Sequence, residues 1–146
     1  MFEYIKNAIL KKTKIDVDEL EIERKTAVVA LMLEIANADD EFTSVEKETL
    51  IDIIKQEFLL DQISVIKLIK KAREEREKSI DLWFFTNAVN KQFPKEEKIK
   101  ILKMLWNIIY ADHVVTPEEE YIIRKIANLL RIEHHEFIKT KLDAKI

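Results

Sequence analysis

Apolar residues recur along the chain at helical spacing, as in Ile63, Ile66, Leu68, Ile69 and Ala72 set against Lys67, Lys70, Lys71 and Arg73. That basic run reads as the solvated face of an amphipathic helix. Ser, Thr and Asp before such runs mark helix starts, because their side chains accept backbone N–H groups that the first turn leaves without partners. Eight segments are predicted on this basis: 2–12, 17–38, 44–58, 61–77, 80–92, 95–111, 117–130 and 134–143. Thr43 with Glu46, and Thr116 with Glu119, fit the T-x-x-E capping box, and Pro94 and Pro117 mark two helix starts. Two segments lack a polar face. Between Ala27 and Ala38 only Glu34 and Asn37 are polar, and between Ile101 and Ala111 only Lys103 and Asn107. Helices apolar nearly all round belong at a centre, so these two are expected to pack together there.

Composition sharpens the fold class. A chain of 146 residues with average usage would carry roughly ten glycines and seven prolines; this one has 0 Gly and 2 Pro. The expectation is an all-α, compact single domain spanning 1–146, with seven to eight helices and no linker. Glycine-rich phosphate loops and the G-x-S-x-G elbow are ruled out. With 0 Cys there is no thiol nucleophile or cysteine-zinc site. The net charge of −3, from 25 basic and 28 acidic residues interspersed along the chain, disfavours nucleic acid as a partner. The first 14 residues carry Phe2, Ile5, Ile9 and Leu10 beside Lys6, Lys11 and Lys12, but no continuous apolar core or small-residue cleavage site. No stretch approaches a membrane span. A cytoplasmic location is expected, with peripheral membrane association left open.

A repeat lies within this pattern. Ala38-Asp39-Asp40-Glu41-Phe42-Thr43-Ser44-Val45-Glu46 aligns with Ala111-Asp112-His113-Val114-Val115-Thr116-Pro117-Glu118-Glu119 at a constant offset of 73 residues. The same offset pairs Leu31 with Met104, Leu33 with Trp106, Glu34 with Asn107, Ile35 with Ile108 and Leu50 with Ile123. Each copy is an apolar helix, an acidic corner and a capped second helix, which suggests a pseudo-twofold arrangement. At these residues the sequence resembles the TerB-like family, the tellurite-resistance-associated helical domain, and within it an uncharacterised single-domain bacterial branch. The family's mark is a twice-occurring A-D-G-x-[apolar]-x-x-x-E. The second copy is the closer match, with Trp106, Tyr110-Ala111-Asp112, Glu119 and the run from Ile123 to Leu130. The resemblance covers about residues 20–143.

The resemblance implies a helical module with its two acidic corners brought together, and a role in divalent metal binding or membrane-linked stress response. By that carry-over Asp39, Glu46, Asp112 and Glu119 are candidate ligands, and Glu34 is a further inward carboxylate. The cation would be calcium, magnesium, manganese or zinc. The family glycine is replaced by Asp40 in one copy and His113 in the other. A left-handed corner would be strained there, though Asp and His tolerate positive φ better than most residues. Asp40, Glu41 and His113 would in turn add possible ligands.

The residues themselves leave two readings open. Hard divalent cations want six or more oxygens, which an acidic corner partly provides, although the spacing is not that of an EF-hand. Alternatively these residues only cap helices, and the domain is a structural protein-interaction module without metal. Glu34, flanked by Leu33 and Ile35, needs a neutralising partner, and Lys103, a bound cation or an opening to solvent would each serve. His134 and His135 point about 100° apart on a helix and read as surface residues. Ser44, Ser64 and Ser79 sit where caps or first-turn residues belong, so no catalytic triad is indicated, and a metal-dependent enzyme using the paired carboxylates is the least favoured reading. Trp83, Phe84, Phe85, Phe93 and Trp106 read as core anchors.

Overall fold

The computed structural model describes residues 2–38 and 44–144, with side chains from Glu19 onward except that of Asp112. Among these residues there are seven α-helices, one 3-10 turn and no strand. The helices are α1 (Phe2–Ala36), α2 (Ser44–Phe58), α3 (Gln62–Lys78), α4 (Trp83–Gln92), α5 (Lys95–Ile109), α6 (Pro117–Leu129) and α7 (His134–Ala144). The 3-10 turn, Tyr110–Asp112, follows α5 directly. The segments expected at 2–12 and 17–38 form one helix of 35 residues. Neither Gly nor Pro interrupts the run, and the ordinary residues between the two segments, Thr13-Lys14-Ile15-Asp16, cost a helix interior no more than about 0.7 kcal/mol each. At the other end of the chain's third loop, α4 begins at Trp83, where Asp81 Oδ1 accepts the Trp83 N–H at 2.9 Å, not at residue 80.

The two all-apolar segments meet as expected. Every residue from Ala27 to Leu33 is buried, and α1 packs against α2, α3, α4, α5 and α6. In α5 the buried positions include Ile101, Leu102, Leu105, Trp106, Ile108 and Ile109, while Asn107 faces solvent. Phe85 and Trp106 are core residues, but Trp83 and Phe84 are 58% and 50% exposed and Phe93 is only half-buried. The buried stripe of α4 runs through Phe85, Ala88 and Val89, and the two preceding aromatics lie outside it.

Without glycine, the chain turns its helix ends with other residues. Leu59 and Arg131 adopt φ of 53° and 62°. In each case the next amide reaches back five residues, from Leu60 N to Lys55 O at 3.1 Å and from Ile132 N to Ala127 O at 3.0 Å, completing the Schellman closure usually built on Gly. The end of α6 is also capped from outside. Asn90 Nδ2 donates to Leu129 O at 2.9 Å, and Lys98 Nζ donates to Leu130 O at 2.8 Å and to Asn90 Oδ1 at 3.1 Å. A cation here complements the negative end of the helix dipole, although burial lowers the pKa of the Lys98 ammonium.

Candidate functional site

The second acidic corner follows from the end of α5. Trp106 is fully buried, stacked on Tyr110 at 5.6 Å and packed against Phe137. This anchors the 3-10 turn, which also packs on α2. His113 then takes φ 62° and ψ 10°, so the residue standing in place of the family glycine is left-handed. The exposed imidazole leaves the backbone to carry the strain. Thr116 returns the chain to extended geometry and caps α6. Its Oγ1 accepts the Glu119 N–H at 3.2 Å, and Glu119 Oε1 accepts from Thr116 N at 3.1 Å and from Thr116 Oγ1 at 2.9 Å. With Pro117 in the first turn, the capping box is complete.

Glu119 is 2% exposed, and Glu46, its counterpart 73 residues earlier, is 3% exposed in the first turn of α2. Of the other offset pairs, Leu31 with Met104, Leu33 with Trp106, Ile35 with Ile108 and Leu50 with Ile123 are all buried, whereas Glu34 is half-buried and Asn107 exposed. Asp39, Asp40 and Glu41 lie outside the described residues, as do Thr43 of the first capping box and the side chain of Asp112. The flanking backbone is described. Ala38, at the entry to the first corner, lines one open cavity of about 340 Å³ together with Pro117, Glu118, Tyr121 and Ile122 of the second.

Next to the capping box, Glu120 accepts from Arg124 at 3.1 Å and Lys141 at 3.4 Å. The Arg124 hydrogen bond and the Lys141 charge hold its carboxyl below the ordinary value. Burial, with the Glu120 charge nearby, raises the Tyr110 phenol.

Glu34 finds a partner that its sequence neighbourhood did not suggest. Arg76 of α3 grips it with two hydrogen bonds, Nε to Oε2 at 2.9 Å and Nη2 to Oε1 at 3.3 Å, while Nη1 donates to Ser79 O at 3.2 Å. The Glu34 hydrogen bond raises the Arg76 pKa still further. Lys103, the counterpart expected from sequence, instead pairs with Asp143 at 3.5 Å. Arg76 thus supplies the neutralising partner that Glu34 needs.

One group was missed. Glu133, His135 and Glu136 bring one ligand atom each within 4.8 Å of one another. The string Glu133-His134-His135-Glu136 carries the signal, because the flanking carboxylates, and not the adjacent histidine, share a side with His135. Both histidines are exposed, as expected. His135 Nδ1 lies 3.3 Å from Glu133, and Lys95 Nζ lies 2.9 Å from Glu136 Oε1. The Lys95 hydrogen bond lowers the Glu136 pKa. A resident lysine already supplies the positive charge that a cation would bring.

No described helix is long and apolar enough to cross a membrane. The family described as Tellurite resistance protein TerB matches residues 25–142, which is most of the chain and includes both corners. No curated protein and no solved structure gives a significant match.

Proposed function

The chain belongs to the TerB family, and on that premise we propose that it is a non-enzymatic cytoplasmic module that binds a divalent cation through its paired acidic corners, in a bacterial stress response of the kind the family name describes. The observation that carries this reading is the shared cavity, whose wall takes Ala38 from the entry to one corner and Pro117 and Glu118 from the exit of the other. Asp39, Asp40, Glu41 and Glu46 would serve from the first corner, and Asp112, His113 and Glu119 from the second.

The capping box favours a second reading, in which the corners only stop and start helices and the domain is a protein-interaction module without metal. Glutamine satisfies a capping box as glutamate does, so Glu46→Gln and Glu119→Gln separate the two. Chelator-treated protein is titrated calorimetrically with calcium, magnesium, manganese and zinc, alongside thermal melts. The cation reading expects saturable heat and a raised Tm with at least one ion, as ligand binding to the native state requires. Both signals should be lost in the double variant and kept in His135→Ala, which disables the Glu133 group. No heat and no Tm change with any ion would leave capping as the whole role of the corners.

A further inference from the structure

Helix α3 carries more apolar surface than the core uses. Val65, Leu68 and Ala72 are buried, yet Ile63 and Ile66 are 67% and 54% exposed. Ile66 and Ile69 form one wall of an open trench of about 410 Å³ between α2 and α3, with Ile51 opposite and Leu33 and Leu50 at its base. The two helices form an antiparallel hairpin closed by residues 59–61. Lys47, near the start of α2, therefore sits at the same end as Lys70 and Arg73, in the second half of α3. At the hairpin end, Lys55 Nζ donates to Gln62 Oε1 at 3.2 Å and closes the trench.

Among the described residues, no carboxylate lines the trench, and Lys47, Lys70 and Arg73 form no ion pair. Arg76, one turn beyond Arg73, shows the contrast, since Glu34 holds it from the core side. In a chain with more acidic than basic residues, a trench whose described lining carries three cations and no anion is an unbalanced charge distribution. It selects a ligand that is apolar along its length and anionic at one end.

We propose that this trench docks an amphipathic helix of a partner protein, with an apolar stripe against Ile51, Ile66 and Ile69 and acidic residues against Lys47, Lys70 and Arg73. The open shape decides between this ligand and a single acyl chain. A chain in a one-sided trench leaves much of its surface in water, forfeiting part of the roughly 0.8 kcal/mol available per buried CH₂. An amphipathic helix has only one stripe to bury and keeps its polar face wet. From Gln62 to Arg73 the α3 wall runs about 16 Å, room for three helical turns with anchors spaced i, i+4, i+7. The apolar stripe supplies affinity, and the cations supply register and choice of partner.

The test uses a fluorescent designed peptide of about 18 residues, long enough to populate a helix in water. It has leucines at i, i+4, i+7 spacing and glutamates in its last two turns, and a twin carries lysine at each glutamate. Anisotropy titrations use the full chain. The acidic peptide should bind saturably and at least about 10-fold more tightly than its twin, with a preference that shrinks as salt rises. Lys70→Glu with Arg73→Glu should reverse the preference, and Ile66→Glu should remove binding of both peptides while circular dichroism and Tm stay those of the parent. Equal binding of the twins, no saturable binding by either, or indifference to the charge reversal would overturn the proposal. Sedimentation with anionic phospholipid vesicles that depends on Lys70 and Arg73, and that the acidic peptide does not compete away, would overturn it in favour of a lipid surface. Glu46→Gln with Glu119→Gln leaves the trench intact, so failure of the cation reading and failure of this one are separately visible.

Discussion

Helices α5 and α3 are of similar length, 15 and 17 residues, but they use their side chains in opposite ways. α5 buries seven residues and exposes little that is apolar, whereas α3 buries three and leaves Ile63 and Ile66 in water. Charge is divided the same way. Lys98 and Lys103 of α5 are committed to Leu130 O and Asp143, while Lys70 and Arg73 of α3 are uncommitted among the described residues. Covered residues maintain the fold, and uncovered ones are available to a partner. The contrast also divides α3 itself, because Arg76 belongs with the folding residues and Arg73, three positions earlier, does not.

The comparison breaks most sharply at Trp106. Trp106→Ala should lower the unfolding free energy by about 3–5 kcal/mol, the range for a large core aromatic, measured by urea denaturation. A loss within the small range of surface substitutions would remove α5 from the centre. Arg76→Ala should cost about 1.5–3 kcal/mol, because two hydrogen bonds to a carboxylate are lost and Glu34 is left without its partner. Arg73→Ala should cost far less, and equal effects at the two arginines would erase the division within α3.

Smaller effects sharpen the picture at the second corner. Thr116→Ala should cost about 0.5–2 kcal/mol as a lost cap, with or without added cations, whereas Glu119→Gln should keep most of the capping stability. Glu120 gives a pH signature. Its folded pKa lies below the ordinary carboxylate value of 4.5, so the stability from its pairs with Arg124 and Lys141 is complete above that value. It is lost as the pH falls through the lowered folded value. Thermal melts across the acid range should show a steeper loss for the parent than for Glu120→Gln. The smallest effect is expected in the trench, where Ile66→Glu and Lys70→Glu should each change stability by no more than about 0.5 kcal/mol. A large loss at Ile66 would mean that the α2–α3 contact needs it for folding.

The sequence by itself determined whatever depends on neighbours within about one helical turn. The capping box at Thr116 and Glu119, the start at Pro117 and the all-round apolar runs at 27–38 and 101–111 were legible because caps act over three residues and periodicity over four. The left-handed conformation at His113 was legible through the glycine it replaces. Local rules misled where a weak signal met no breaker, as in the single helix across Thr13 and Asp16. Only the tertiary structure decided which charges meet. Glu34 and Arg76 are 42 residues apart, and Asn90 and Leu129 are 39 apart. Such pairs depend on how helices cross, which no local spacing encodes. The exposure of Ile66, Trp83 and Phe84 has the same origin. An apolar face states that a residue can be buried, but only the placement of the neighbouring helices determines whether anything covers it.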